Sequence, residues 1–186
     1  MRVIGIDPGS RSLGYGVVEE RKGRLRHVAH GVICASAADR LERRLQEIFA
    51  GLFAVVASHR PDAAAVEGVF AFRNARSALI LGQARGVALL VAAQRGLPVH
   101  EYAPASVKRS VGAGGAAGKD AVARMVNRFL RLPEAPSADA SDALAVAICH
   151  LNRARFVGLT RVQGRQPAGF DERLSPSYRR FEAPSG

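Results

Sequence analysis

The chain has 186 residues, room for one domain of ordinary size whose folding buries roughly 70% of the unfolded surface. Hydrophobic residues make up 48% of it, which excludes a disordered chain. Lys and Arg number 27 against 16 Asp and Glu, a net charge of +11; a basic protein of this kind suits a polyanion, nucleic acid above all, or simply uses Arg for solubility.

In chain order, Val3-Ile4-Gly5-Ile6 reads as a buried strand that Asp7-Pro8-Gly9-Ser10 ends with turn residues. Leu13 to Val18 reads as a second strand and Gly31 to Cys34 as a third, with Arg21-Lys22-Gly23 as the turn of an antiparallel meander. Leu41, Leu45, Ile48, Leu52 and Val55 recur at helical spacing. Pro61-Asp62 breaks the chain before a fourth strand, Ala63 to Val66, which ends at Glu67. A long apolar helix follows from about Asn74 to Gln94, stopped by Gly96 and Pro98. Val99 to Tyr102 is a fifth strand, and Pro104 opens a short helix near Lys108. A Gly/Ala loop from Gly112 to Gly118 leads to a helix around Ala121 to Leu130, and a last helix runs from about Asp139 to Arg155. Beyond Phe156 the periodicity fades into Gly, Pro, Ser and Arg.

This order describes an α/β domain over residues 1–156, a ribonuclease-H-like mixed sheet of five strands, the first three antiparallel, flanked by helices. Residues 157–186 are expected to be a loose basic tail. The tail holds five Arg and three acids, so a charge of +9 falls on 1–156. Cys34 and Cys149 form no CxxC pair and lie in apolar runs, as small core residues of a reducing cytoplasm would. Asp7 interrupts the early apolar run, which argues against a signal peptide. The stretch Ala78 to Ala93 contains Arg85 and reads as too short to cross a bilayer, so no membrane is expected.

The chemistry concentrates in carboxylates. Asp7 and Glu67 each end a buried strand; if those strands are parallel neighbours, both emerge at the carboxyl edge, where open α/β sheets gather their ligands. Asp139 and Asp142 lie one helical turn apart at the start of the last helix. Each has an ordinary reading as well: Asp before Pro-Gly makes a turn, Glu before Gly ends a strand, and Asp near a helix start caps it. Four carboxylates at one edge would repel each other without a cation. Oxygen donors with no thiol or histidine cluster nearby suit Mg²⁺ or Mn²⁺ rather than zinc.

Four segments in register carry a resemblance. Ile4-Gly5-Ile6-Asp7-Pro8-Gly9, Val66-Glu67-Gly68-Val69-Phe70, Leu81-Gly82-Gln83-Ala84-Arg85-Gly86 and Ala138-Asp139-Ala140-Ser141-Asp142-Ala143-Leu144-Ala145 together resemble the RuvC family. The resemblance covers roughly residues 1–155. It implies a homodimeric, metal-dependent endonuclease that nicks four-way DNA junctions symmetrically, with catalytic and metal-holding carboxylates at Asp7, Glu67, Asp139 and Asp142. Some relatives carry His at the position of Asp139. A partnership with a RuvA–RuvB branch-migration motor is likewise only implied. With two metals about 3.5–4 Å apart, Asp7 is expected to bridge them, Glu67 on one side and Asp139 and Asp142 on the other. In-line attack would then leave a 5′-phosphate and a 3′-hydroxyl.

DNA contacts are expected from Phe70, Arg73 and Arg76 in and beside the loop after Glu67, where a ring can stack on an unpaired base and Arg can hold phosphates. The resemblance favours Phe70 as the stacking residue. Lys108, Arg109 and Lys119 flank the Gly-rich loop at basic positions of the family; as surface charges alone they would need no such role. The second helix is apolar on most faces, so its surplus is either buried core or a two-fold interface. Rival readings are an actin-like or sugar-kinase ATPase, a non-catalytic branched-DNA binder, and another ribonuclease-H-like nuclease. The ATPase would need a second domain and phosphate loop.

Overall fold

In the computed structural model the meander consists of β1 (Arg2–Asp7), β2 (Ser12–Arg21) and β3 (Arg24–Cys34), each antiparallel to the next. Residues 1–68, 75–112 and 119–162 are described. Lys22 (φ 52°) and Gly23 (φ 76°) make a two-residue turn of the primed kind, whose twist matches that of the strands it joins. The hairpin therefore pairs all the way to Arg21 opposite Arg24. Both strands run past their apolar stretches into charged residues that the sequence pattern alone leaves outside them.

β4 (Ala63–Glu67) lies parallel to β1, and β5 (Val99–Tyr102) parallel to β4. The sheet order is β3-β2-β1-β4-β5, the expected mixed sheet. α1 (Leu41–His59) connects β3 to β4 and ends where Arg60 turns left-handed (φ 45°) and its N–H bonds the Val56 carbonyl. α2 (Ala75–Gln94) connects β4 to β5. α3 (Pro104–Ser110), α4 (Lys119–Leu130) and α5 (Ala138–Val162) follow. α5 thus continues into residues that composition assigned to the tail. The chain divides into two compact units, Met1–Arg153 and Ala154–Gly186; of the second, only the last turns of α5 are described.

Side chains alternate across the sheet, and two cores result. On one face Ile4, Ile6, Leu13 and Val17 pack with Ile48, Leu52 and Val56 of α1 and Ala88, Val91 and Ala92 of α2. On the other, Val3, Val18, Ala65 and Tyr102 pack with Val107 of α3, Val122 and Val126 of α4, and Leu144, Ile148 and Leu151 of α5.

Two expectations need correction. Cys149 is buried but Cys34 is exposed: it is the last residue of β3, an edge strand. The length argument about the apolar stretch also fails, because α2 is 20 residues long and apolar enough to cross a membrane by length and composition. What ties it to this fold is specific: Ala84, Ala88, Val91 and Ala92 are buried, and Arg85 forms an ion pair with Glu101 of β5.

Candidate active site

The register of the two parallel strands builds the site. Ile6 lies beside Val66, so Asp7 and Glu67 end neighbouring strands at the same carboxyl edge. Alternation sets their face. Val3 and Ala65 belong to the α5-side core, so Asp7, two positions after Gly5 and four after Val3, shares that side with Glu67, two after Ala65. Both acids are half-buried.

Glycines bring the helix to them. A Cβ at Gly5 would collide with the Ala143 carbonyl oxygen and stand 2.7 Å from the Ala147 nitrogen. One at Gly14 would strike the Asp139 carbonyl, and one at Gly16 would lie 2.8 Å from the Leu144 Cα. The first turns of α5 therefore rest on bare strand backbone, the close approach that glycine inside a strand permits. Gly14 is also the register partner of Asp7, so the Asp139 backbone sits over the residue beside Asp7. The Asp139 side chain is then fixed: Ser12 Oγ donates to its Oδ2 at 2.7 Å. A carboxylate in the first turn of a helix is further favoured by the helix dipole. Asp142, one turn on and half-buried, directly precedes Ala143, whose carbonyl covers Gly5.

Asp7 and Glu67 thus share one face of one edge, and Asp139 and Asp142 lie at the start of the helix packed on that face. Their donors are all oxygen, the chemistry that hard divalent cations require. Among the described residues no group of three or more His, Cys, Asp or Glu is already arranged to hold a metal ion. The fit rests on donor type and placement, since like carboxylates repel until a cation screens them.

The expected DNA contacts fall out unevenly. Arg76 is exposed at the start of α2, the helix that follows Glu67. Lys108 is half-buried and Arg109 exposed in the last turn of α3, where Arg109 Nη2 donates to Ser106 Oγ at 3.4 Å. Phe70 and Arg73 lie outside the described residues, as do the Lys119 side chain and the loop from 113 to 118.

Two features went unread in the sequence. Ser12 is one; its signal was only its place after the Asp7 turn. The other is Tyr102, the register partner of Glu67. Its carbonyl accepts from the Gly68 N–H at 2.8 Å, and its hydroxyl lies 2.7 Å from Nδ1 of His150 on α5. Burial first, then the charges of His100 and Arg153, pull the His150 pKa down to about 4; burial pushes the Tyr102 hydroxyl up to about 12. This pair fastens the exit of β4 to the helix that carries Asp139 and Asp142.

The chain is similar to known proteins in sequence and in fold. A family model described as "Crossover junction endodeoxyribonuclease RuvC" matches residues 3–150. A protein of that name from Myxococcus xanthus (strain DK1622) is 60% identical, covering 98% of this chain and 100% of its own length. The solved structure of T. thermophilus RuvC in complex with Holliday junction substrate is similar with a TM-score of 0.76 and 36% identity, over 84% of this chain and 96% of that one. The yeast mitochondrial Holliday junction resolvase Ydc2, at 14% identity and a TM-score of 0.64 over 87% of this chain and 83% of its own, shares the fold.

Proposed function

The chain belongs to the RuvC family of crossover junction endodeoxyribonucleases, with a ribonuclease-H-like fold, and from that premise we propose how its residues divide the work of resolving a Holliday junction. Asp7, Glu67, Asp139 and Asp142 are the catalytic carboxylates and hold Mg²⁺, two ions per site, with Mn²⁺ able to substitute. Such ions, when bound, lower the pKa of the attacking water and neutralise the leaving 3′-oxygen. The chain supplies placement. Asp7 stands between Glu67 on β4 and the helix bearing Asp139 and Asp142, and Ser12 holds the Asp139 carboxylate in one orientation. The products are a 5′-phosphate and a 3′-hydroxyl, which a ligase can join.

The observation that supports this reading is the parallel pairing of β1 with β4, which ends the strands of Asp7 and Glu67 at one carboxyl edge. Residues 1–156 form the nuclease domain, and 157–186 a basic tail. Phe70, Arg73, Arg76, Lys108, Arg109 and Lys119 contact the junction. Two symmetric nicks need two sites, so the working form is a homodimer. Leu79 and Leu90 of α2, 70% and 50% exposed, support that face as its interface. A RuvA–RuvB motor is the partner that would deliver branched DNA. Two free cysteines suit a reducing cytoplasm.

The test is cleavage of an end-labelled four-way junction and a linear duplex, with Mg²⁺, Mn²⁺ or EDTA, by the parent and by Asp7→Asn. Paired nicks are expected in the junction only, dependent on metal and absent in the variant. Tight junction binding by the parent without a cut in either metal would instead make it a non-catalytic binder.

A further inference from the structure

The edge that carries the carboxylates has a second side. β3 and β1 are both antiparallel to β2, so Cys34 and Asp7 end at the same edge. α1 starts shortly after β3 and α2 shortly after β4, so both begin at this edge, on the sheet face opposite α5. Between them lies a groove of about 340 Å³, lined by Ser10 and Arg11 of the β1–β2 turn, Arg44 of α1, and Ser77, Ile80 and Leu81 of α2.

The lining has the chemistry of an anion site. Among the described residues it contains two arginines and two hydroxyls and no carboxylate. Neither Arg11 nor Arg44 takes part in an ion pair among the described residues, whereas Arg2, Arg40 and Arg85 each do. The Arg44 Nε, like those of Arg2 and Arg85, is buried and has no hydrogen-bond partner among the described residues, but Arg44 alone of the three also lacks an ion pair there. A buried guanidinium nitrogen without a partner is unfavourable unless something completes it. Arginine's planar fork matches phosphate oxygens, and an apolar wall such as Ile80 and Leu81 strengthens that attraction by excluding water.

The turn also links the two sides. Ser10 and Arg11 line the groove, and the next residue, Ser12, bonds Asp139 across the sheet. We propose that Arg11 and Arg44 hold a backbone phosphate of the DNA substrate on the α1–α2 side of the edge, next to the strand segment presented to the carboxylates. This deepens the nuclease reading and rests on it. The groove positions the strand by charge and carries no base preference.

The experiment measures junction binding in EDTA, where no cutting occurs, by fluorescence anisotropy over a series of salt concentrations. It compares the parent with Arg11→Gln, Arg44→Lys, the double variant Arg11→Gln/Arg44→Gln, and Arg24→Gln. Arg24 is exposed on the hairpin at the opposite end of the sheet and serves as the control. The double variant is expected to bind about tenfold more weakly near physiological salt, with its salt slope reduced by about 0.9 for each phosphate it no longer neutralises. Arg11→Gln, a change at an exposed residue that leaves the core intact, gives part of that loss. Arg24→Gln leaves both quantities unchanged. Methylphosphonate placed singly along the strand near the cut should weaken the parent at one position and leave the double variant indifferent there. Parental affinity and slope in the double variant would overturn the proposal. So would a loss of affinity that follows loss of the dimer in sedimentation, which would assign the groove to a contact between copies. Failure of the nuclease reading would show differently, as a parent that never cuts.

Discussion

The two faces of this sheet are buried by different means. On the α1–α2 side, bulky side chains of the strands interlock with Ile48, Leu52 and Val56. On the α5 side, at the catalytic edge, Gly5, Gly14 and Gly16 remove the side-chain layer, and helix backbone rests on strand backbone. A side-chain core can adjust rotamers when a methyl group is lost. A backbone contact has nothing to adjust, so it fixes the height of Asp139 and Asp142 above Asp7. The first face supplies stability and the second supplies position.

Substitutions should separate these roles. Gly14→Ala is expected to have the largest effect, because its Cβ meets the Asp139 carbonyl and must lift α5 from the site. Single-turnover cleavage should fall by about a hundredfold or more, the scale of a misplacement near 1 Å. Leu52→Ala, fully buried on the other face, should cost about 2–5 kcal/mol of stability by denaturant unfolding. The cleavage rate of its folded fraction should match the parent's. A Gly14→Ala protein that cuts at the parental rate, or a Leu52→Ala protein that folds but cuts slowly, would break the division.

Acid should distinguish the faces as well. His150 lies in the α5-side layer with its pKa lowered from 6.5 to about 4. Between those values the unfolded chain takes up a proton that the folded chain refuses. Stability is therefore whole above about pH 6.5 and falls as pH drops toward 4, by about 2–3 kcal/mol. His100, also lowered by burial and by Arg153, adds in the same direction. Urea unfolding at pH 7.5 and 4.5 checks the slope, and His150→Gln should flatten it. The smallest expected effect is that of Ser12→Ala, which frees the Asp139 carboxylate. Cleavage should slow by about tenfold, near the 1.4 kcal/mol of one charge-assisted hydrogen bond. An unchanged rate would remove Ser12 from the positioning set.

Much of this architecture could be read from residue order. The strand ends at Asp7 and Glu67, the fifth strand at Val99–Tyr102 and the start of the last helix follow from apolar runs broken by turn residues. The length of the β2–β3 hairpin did not, because its outer half is paired through backbone and a two-residue turn while its side chains are charged. Cys34 was misjudged because an apolar run does not reveal whether its strand is an edge. The glycines at 5, 14 and 16 gave a signal, a residue poor for strands placed inside them, but only the register shows that all three lie under one helix. The Ser12–Asp139 and Tyr102–His150 bonds join residues far apart in the chain, beyond any local pattern.

The central claim is that Asp7, Glu67, Asp139 and Asp142 act as one metal-holding centre. Mn²⁺ binding, followed by electron paramagnetic resonance, tests it without reference to DNA. The parent and Asp7→Asn, Glu67→Gln, Asp139→Asn and Asp142→Asn would be titrated side by side. Each substitution is expected to weaken Mn²⁺ binding by at least about tenfold, with Asp7→Asn weakest of all, because one lost oxygen ligand affects a shared site. Parental Mn²⁺ affinity in Asp7→Asn and Glu67→Gln would contradict the account.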